Sequence, residues 1–231
     1  MSNIISLSNL EDPLAYLTRA ATRDYQKGQA IYGCEQPPTG IYLIIDGKVK
    51  VDRRTEAGRH VILDIYQTDE FFGESGLVWP DPPAEYAVAL ESTKLMMWTL
   101  ADIEEIVTRR PKLALALMQL LIQRNMDFGS RIESFSVDPI DRRLARCLIR
   151  FSERLGIRAE EGSVEMMPLT HELLAQYVGT SREIISHFMN VFRRREYVHY
   201  SRKSIRLNPD RLREWIRQDY IGQGPRAKRA A

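Results

Sequence analysis

Cysteine is scarce in this sequence: Cys34 and Cys147 are the two cysteines among 231 residues. Two thiols are too few for a cysteine-ligated iron–sulfur cluster held within one chain. Because they fall in regions of different character, we expect no disulfide between them. Cys147 lies on the apolar side of a predicted helix and is assigned to a core.

Long apolar runs are missing as well. The longest are well short of the roughly 18–20 residues that a membrane-spanning helix needs. The chain does not open with a charged segment followed by an apolar one, so no signal peptide is predicted. We therefore expect a cytoplasmic protein without membrane contact.

The common catalytic motifs are also absent. The sequence contains no phosphate-binding loop, no spaced set of metal ligands, and no serine or cysteine placed with a base. We therefore expect neither an enzyme nor a metal site, and the composition leaves the identity of any cofactor unknown.

Charge is unevenly distributed along the chain, although the net charge is only +2. Residues 1–136 hold 14 Lys and Arg against 19 Asp and Glu, a net charge of −5. Residues 137–231 hold 19 against 12, a net charge of +7. A basic half in a nearly neutral protein indicates a polyanionic partner for that half.

Six short runs in the first half have the composition and alternation of β-strands. They are Ala30–Tyr32, Ile41–Ile45, Val49–Val51, His60–Ile65, Tyr86–Leu90 and Lys94–Met97. Glycine-containing turns separate them, and Asp46-Gly47 predicts a two-residue β-hairpin. Strands without intervening helices predict an antiparallel sandwich or barrel.

Two helices follow, one over 99–110, ending before Pro111, and a long one over 112–136. The long helix carries an apolar stripe at 3/4 spacing, with Asn125 at one position of the seam. The stripe consists of Leu117, Leu121, Phe128, Ile132 and Phe135. Such a helix buries its stripe against its own β-domain, against a second copy, or both, so we expect a homodimer.

A helix break at Val137-Asp138-Pro139 predicts the hinge before the next helix, 140–155, and the segment 156–167 is predicted to be a loop.

Residues 169–192 contain two apolar-periodic segments, 169–178 and 182–192, around the turn Gly179-Thr180-Ser181. Gly179 predicts the end of the first helix, and Thr180 with Glu183 predicts a capping box that begins the second. The second segment has an apolar face, predicted to be buried, of Ile185, Phe188, Met189 and Phe192. Its opposite face holds hydrogen-bonding side chains: Arg182, Glu183, Ser186, His187 and Asn190.

That polar face has the chemistry needed to read the major groove of DNA. Arginine donates two bonds to guanine, and glutamate accepts from cytosine. Two short β-runs, 197–200 and 204–207, flank a basic turn with Arg202 and Lys203, and a final helix is predicted over 209–220. Together these elements predict a winged helix-turn-helix; a helical hairpin with a solvated polar face is the alternative.

Four motifs in this order and spacing resemble the catabolite activator/FNR family of bacterial transcription regulators. They are Tyr25–Gln29, Ile41–Val49, Phe71–Glu74 and Gly179–Glu183. The resemblance spans about residues 25–207 and implies a cyclic-nucleotide-binding-like β-roll (jelly roll), a dimerisation helix and a C-terminal winged helix. It also implies a symmetric dimer on a palindromic site in double-stranded DNA, and RNA polymerase as a partner, with residues 156–165 as a contact loop.

The resemblance assigns base contacts to Arg182 and Glu183, and Glu183 with Ser186 has the spacing of readers in the FNR branch. His187 replaces an arginine found in many relatives, which predicts an altered preference at one base pair. The remaining DNA contacts are assigned to Thr180, Ser181, Ser186, Asn190, Arg202 and Lys203.

The effector pocket matches the family less well. Gly73, Glu74 and Ser75 retain the glutamate that accepts from a ribose hydroxyl in nucleotide-binding relatives. The Arg-Ser or Arg-Thr pair that holds the cyclic phosphate is missing, and Ala84, Glu85 and Tyr86 stand in its place. Phe128 falls where the adenine-contacting Thr-Ser pair is expected. A phosphate without its arginine and beside a second carboxylate is poorly compensated, so we do not expect cyclic AMP as the effector.

Other triggers are weakly supported by the sequence. Haem needs an axial ligand, and His60, the one histidine of the β-domain, is better read as a surface strand residue. Cys34 is either a redox-sensing thiol or an ordinary turn residue, and the second reading is favoured. Activation without any ligand is also possible.

We therefore predict an α+β protein with a β-roll domain at 1–110, a dimerisation helix at 111–137 and a winged helix-turn-helix domain at 138–231. The predicted function is a dimeric, sequence-specific DNA-binding transcription regulator. Two alternatives are a small-molecule-binding module whose helical hairpin contacts protein, and an enzyme that uses the β-roll pocket.

Overall fold

The computed structural model describes residues 11–77 and 85–222. The chain forms two compact units, Met1–Ile132 and Glu133–Ala231, so the division falls inside the long helix. The sequence-derived domain boundaries at 110 and 137 stay predictions. Within the described ranges, no helix is both long and apolar enough to cross a membrane.

Eight strands of the first unit form two four-stranded antiparallel sheets, ordered β1-β8-β3-β6 and β2-β7-β4-β5. The strands are β1 (Thr22–Tyr25), β2 (Ala30–Tyr32), β3 (Gly40–Asp46), β4 (Lys48–Arg54), β5 (His60–Gln67), β6 (Phe71–Phe72), β7 (Glu85–Ala89) and β8 (Thr93–Thr99). Aromatic and β-branched residues of both sheets pack into one core, in which Phe72 is fully buried. Burying one such side chain contributes about 1.5–3 kcal/mol. The predicted antiparallel sandwich is confirmed.

The predicted hairpin at Asp46-Gly47 is wrong. β3 pairs with β6 and β8, whereas β4 pairs with β5 and β7, so this turn carries the chain from one sheet to the other. Gly47 has a φ of +102°, and a Cβ there would lie 2.5 Å from the Thr93 hydroxyl. The glycine is needed for its left-handed backbone and close packing, a requirement that a hairpin turn and a crossing between sheets share.

Two strands of the first unit were not predicted from the sequence. β1 has the polar sequence Thr-Arg-Asp-Tyr, is mostly exposed and is defined by its ladder with β8. β6 contains only Phe71 and Phe72, too few residues to show alternation. Both are held by pairing and burial, which local patterns do not report.

Two helices follow the strands, α1 (Leu100–Arg109) and α2 (Lys112–Val137), as predicted, and the last residues of α2 belong to the second unit. A capping box between Thr99 and Asp102 begins α1. Near its start, α2 buries Leu113 and Ala116. Leu117 is partly buried and packs against the apolar cluster that includes Leu113.

The predicted stripe of α2 packs against the β-domain at Leu117, which is partly buried. Its other members, Leu121, Phe128, Ile132 and Phe135, are exposed by 45%, 38%, 65% and 40%. A second line of exposed apolar side chains along the helix contains Leu115, Met118, Ile122 and Met126, with exposed fractions between 46% and 68%.

After α2, the described residues of the second unit contain four α-helices, two of which form the predicted helical hairpin, and one four-stranded sheet, ordered β11-β12-β10-β9. Its elements are α3 (Ile140–Leu155), β9 (Ile157–Arg158), β10 (Val164–Met166), α4 (His171–Val178), α5 (Arg182–Arg194), β11 (Val198–Tyr200), β12 (Ile205–Leu207) and α6 (Pro209–Gly222). The predicted loop over 156–167 is wrong, because it contains β9 and β10. These strands are two and three residues long and are ordered by pairing with β12 and with each other.

The predicted helix break before α3 is confirmed at Asp138 and Pro139. The buried Asp138 carboxylate accepts a hydrogen bond from the Ser134 hydroxyl and one from Arg146 Nε, each at 2.7 Å. Cys147 on α3 is buried, as expected, and both cysteines are free thiols.

Candidate nucleic-acid interface and effector pocket

The turn between α4 and α5 begins at Gly179, which has φ +74° and ψ +50°. Its N–H donates to the Ala175 carbonyl at 2.8 Å, and the Thr180 N–H donates to the same carbonyl at 3.1 Å. The left-handed glycine satisfies the carbonyls at the end of α4, as predicted. A Cβ at Gly179 would also lie 2.9 Å from the Phe135 ring.

The predicted capping box at Thr180 is wrong by one residue. The N-cap of α5 is Ser181, whose hydroxyl accepts from the Ile184 N–H at 3.4 Å. Thr180 does not serve as the N-cap, because its backbone N–H is bonded to the carbonyl of Ala175 at the end of α4. Hydrogen bonds from the Glu183 N–H and then from the Ser181 hydroxyl hold the pKa of the Glu183 carboxyl below its ordinary value. Glu183 is therefore an ionised acceptor at neutral pH.

The two faces of α5 are clearly separated. Ile185, Met189 and Phe192 are buried, which fixes the helix to the unit. Phe188 is only partly buried, a departure from the prediction, and its ring lies 5.1 Å from that of His187. The side chains exposed on the other face are Arg182, Glu183 and His187.

Ser186 and Asn190, also predicted on the free face, are bonded within the protein. The Ser186 hydroxyl donates to the Arg182 carbonyl at 2.8 Å and lies 2.8 Å from His171 Nδ1. The Asn190 amide donates to the Ser186 carbonyl at 2.9 Å, and its oxygen accepts from the Tyr200 hydroxyl at 3.2 Å. Sequence reasoning missed His171 and Tyr200, since neither lies at a spacing that relates it to α5.

The wing is the hairpin of β11 and β12. At its tip, the Ser201 hydroxyl accepts from the backbone of Lys203 at 3.1 Å and of Ser204 at 3.2 Å. This turn leaves Arg202 and Lys203 exposed. Thr180 is half-buried and Ser181 is exposed at the start of α5. Exposed hydrogen-bonding side chains thus lie both on α5 and at the wing tip.

In the β-roll, Glu74 forms an ion pair with Arg124 of α2. The Arg124 guanidinium also donates to the Phe71 carbonyl and lies 4.9 Å from the Tyr66 ring centroid. Its side chain is only 16% exposed. Gly73, with a φ of +81°, packs against the Tyr42 ring, where a Cβ would lie at 2.6 Å.

The second carboxylate of the predicted pocket, Glu85, is buried and paired. It accepts from Arg53 Nη2 at 2.9 Å and from the Ser75 hydroxyl at 2.8 Å. Nearby, the Tyr32 hydroxyl is buried with no hydrogen-bond partner among the described residues. Burial, followed by the charges of Glu85 and Glu74, raises the pKa of Tyr32. The phenol therefore stays neutral.

Not every residue assigned to the pocket lies with Glu85. Alternation along β7 places Tyr86 on the opposite face of the sheet, where its hydroxyl lies 2.7 Å from the Cys34 sulfur. His60 also lies near Tyr86, and its Nδ1 is 2.7 Å from an Asp52 oxygen. Ala84 lies outside the described residues, and Phe128 is on the exposed part of α2.

Two family models match the chain. The cyclic nucleotide-binding domain matches residues 22–110, and the Crp-like helix-turn-helix domain matches residues 142–215. Each match thus lies within one of the two compact units.

Known proteins resemble the chain over most of its length. A CRP-like cAMP-activated global transcriptional regulator of Mycobacterium tuberculosis is 26% identical over 186 residues, covering 80% of this chain and 83% of that protein. A solved transcriptional regulator of the CRP/FNR family from Thermus thermophilus is 26% identical, with a TM-score of 0.69 over 84% of this chain and 97% of its own. FixK2 from Bradyrhizobium japonicum, 19% identical, shares the fold with a TM-score of 0.73 over 85% of this chain and 97% of its own.

These matches confirm the resemblance drawn from the four sequence motifs and agree with the sandwich and the winged helix of the structure. The chain therefore belongs to the CRP/FNR family of helix-turn-helix transcription regulators.

Proposed function

We propose that the chain acts as a homodimer that binds palindromic double-stranded DNA, with α5 of each copy in the major groove. The observation that carries this proposal is the pair of faces on α5. Ile185, Met189 and Phe192 anchor one face, and Arg182, Glu183 and His187 are exposed on the other. A recognition helix needs this arrangement, because its base-contacting side chains must extend from a fixed axis.

Arg182 and Glu183 are the proposed base readers. They stand in the first turn of α5, which in helix-turn-helix proteins contacts base edges. Arg182 suits guanine, and the ionised Glu183 suits the amino group of cytosine. His187, one turn further on, reads with at most two ring nitrogens and without the donor fork of arginine.

Contacts to the DNA backbone are proposed for residues at the start of α5 and at the wing tip. Thr180 and Ser181 lie at the N-terminus of α5, where backbone N–H groups and the helix dipole favour phosphate. Arg202 and Lys203 extend from the wing tip. These four residues position the protein and carry no base preference.

The dimer contact is proposed on the exposed apolar line of α2. Leu115, Met118, Ile122 and Met126 lie 3, 4 and 4 residues apart and therefore share one face of α2, which we take as the seam. Asn125 lies beside this seam and is also exposed. Pairing α2 with its copy removes these four exposed apolar side chains from water.

Cyclic AMP is not proposed as the effector, although the M. tuberculosis relative is described as cAMP-activated. Glu74 is already paired with Arg124, and Arg53 is paired with the buried Glu85. A cyclic phosphate brought here would meet two carboxylates whose cations are engaged. Desolvating an anion against that charge is unfavourable.

RNA polymerase is proposed as a cytoplasmic partner, with the segment 156–165 as its contact. Ile157 on the edge strand β9 is 78% exposed, and Arg158 beside it is also exposed. An exposed apolar residue flanked by charge on a sheet edge is suited to contact another protein.

The proposal is tested by gel-shift titration of the full-length protein on DNA selected from a random pool. We expect a selected site whose affinity falls linearly with log salt concentration, and a loss of selectivity in Arg182→Ala. Selection of no site, or an affinity independent of salt, would contradict DNA binding. Equal selectivity of wild type and Arg182→Ala would contradict the assigned reader.

A further inference from the structure

Four residues of the second unit form a closed loop of contacts, which we call the polar bracket: His171, Ser186, Asn190 and Tyr200. His171 begins α4, Ser186 and Asn190 belong to α5, and Tyr200 ends β11. His171 Nδ1 meets Ser186, the Ser186 carbonyl accepts from Asn190, and Asn190 accepts from Tyr200. The loop closes where the Tyr200 and His171 rings meet edge to face, 5.5 Å apart.

Hydrogen-bond directions in the bracket follow from the donor count. The Ser186 hydroxyl has one hydrogen, and we assign it to the Arg182 carbonyl at 2.8 Å, which can only accept. Towards His171 it therefore acts as acceptor, so His171 Nδ1 carries the hydrogen of the neutral ring. Burial, and then the charge of Arg182, lowers the pKa of His171, in keeping with a neutral imidazole.

The bracket leaves Ser186 and Asn190 little capacity to read DNA. The single hydroxyl hydrogen of Ser186 is used, and one of its lone pairs faces His171. The Asn190 amide is bonded through both its nitrogen and its oxygen. The same bonds hold the first turn of α5, which carries Arg182, at a fixed place relative to α4 and the wing.

We propose that the polar bracket positions the recognition helix and the wing as one rigid DNA-contacting surface, with His171 and Ser186 as positioning residues instead of base readers. This inference rests on the proposed DNA-binding function and changes the role that sequence spacing gave Ser186. Base preference is then carried by Arg182, Glu183 and His187. The bracket sets how well these three side chains and the wing tip reach the DNA together.

Single and double variants of His171 and Ser186 test whether the two residues act through one hydrogen bond. If His171 and Ser186 act through one hydrogen bond, His171→Ala and Ser186→Ala each weaken binding about fivefold, and the double variant weakens it no further than the more affected single variant. The loss is uniform across sites that differ by one base pair. His171→Asn restores most of the affinity, because its amide nitrogen donates from nearly the place of imidazole Nδ1.

A second readout does not depend on DNA. The ¹⁵N NMR shifts of the free protein are expected to show His171 as the Nδ1–H tautomer, and a mixture of tautomers in Ser186→Ala. Matching unfolding midpoints of the variants separate a positioning role from global loss of the fold.

The decisive experiment is the double-mutant cycle, measured by fluorescence anisotropy on the selected site and on its single-base-pair variants. Non-additive losses with unchanged base preference, together with the Nδ1–H tautomer, are expected. Independent losses that multiply, or relaxed preference at one base pair in Ser186→Ala alone, would overturn the bracket and make Ser186 a reader. Failure of the wild type to select any site would instead overturn the proposed function, while the NMR result still tests the bracket.

Discussion

The guanidinium of Arg124 forms an ion pair with the carboxylate of Glu74 in the β-roll, and the two side chains are only 16% and 29% exposed. The same guanidinium donates to the Phe71 carbonyl. The retained glutamate of the predicted effector pocket is thus neutralised by the chain's own helix α2. This ion pair is expected to affect both the response of DNA affinity to ligand and the free energy of unfolding.

Cyclic AMP is expected to leave DNA affinity unchanged. Allosteric ligands typically shift affinity by about 5–150-fold, and the pocket offers cyclic phosphate two carboxylates with engaged cations. Anisotropy titrations with and without millimolar cyclic AMP measure the shift. A tightening of tenfold or more would contradict this reading of Glu74 and Glu85.

Arg124→Gln is expected to lower the free energy of unfolding by about 1–3 kcal/mol, because Glu74 is left partly buried without its cation. Arg109→Gln is the matched control. Arg109 pairs with Glu105 at 2.7 Å with side chains 75% and 61% exposed, and such pairs contribute about 0–1 kcal/mol. Urea unfolding of both variants measures the difference, and equal losses would show that burial of the pair is unimportant.

Gly179→Ala is expected to destabilise the protein by more than the roughly 1–2 kcal/mol of left-handed backbone strain, because its Cβ would lie 2.9 Å from the Phe135 ring. Gly28 is the control, with a φ of +83° and nothing within 4 Å of its Cβ position. Gly28→Ala should show the strain alone. A smaller loss for Gly179→Ala than for Gly28→Ala, measured by thermal unfolding, would contradict this packing.

Ile122→Glu is expected to convert the dimer to monomers by placing a charge in the proposed α2 seam. Ile122 is 53% exposed and flanked by Met118 and Met126. Leu100→Glu, at a comparably apolar site on α1 that is 39% exposed, should leave the dimer intact. Analytical ultracentrifugation measures both. A wild-type monomer, or an unaffected Ile122→Glu dimer, would exclude this seam.

Acid is expected to destabilise the winged-helix unit through His171. Its pKa is lowered in the folded protein by burial and by Arg182, so the unfolded chain binds more protons near pH 6. Stability is then constant above the unfolded value of about 6.5 and falls as the pH decreases from there towards the folded pKa. Urea midpoints across this range should fall more for wild type than for His171→Asn; identical profiles would contradict the shift.

Sequence analysis succeeded where one local pattern decides the outcome. The apolar period and the glycine stop of 169–192 define α4 and α5, and alternation defines six of the strands. It failed where distant pairing decides. Asp46-Gly47 has hairpin chemistry, yet Gly47 lies against Thr93 and joins two sheets. β9 and β10 are too short for periodicity; β10 is held by its ladder with β12, and β9 by its ladder with β10.

The same distinction between local pattern and distant pairing applies to the candidate site. The exposure of Arg182, Glu183 and His187 follows from their positions on α5, so their spacing was sufficient to find them. His171 and Tyr200 meet Ser186 and Asn190 only in three dimensions, across 10 to 15 residues of chain. The cap moved from Thr180 to Ser181 because the end of α4 takes the Thr180 N–H, a competition that a four-residue motif does not contain.

The most direct test of the central claim is selection of bound sequences from random double-stranded DNA by the full-length wild type and by Arg182→Ala. We predict that wild type enriches an inverted repeat with half-site centres about one helical turn, or about 34 Å, apart, and that Arg182→Ala loses preference at one base pair in each half. Enrichment of an unpaired site, or the same sequence preference in both proteins, would contradict recognition by α5.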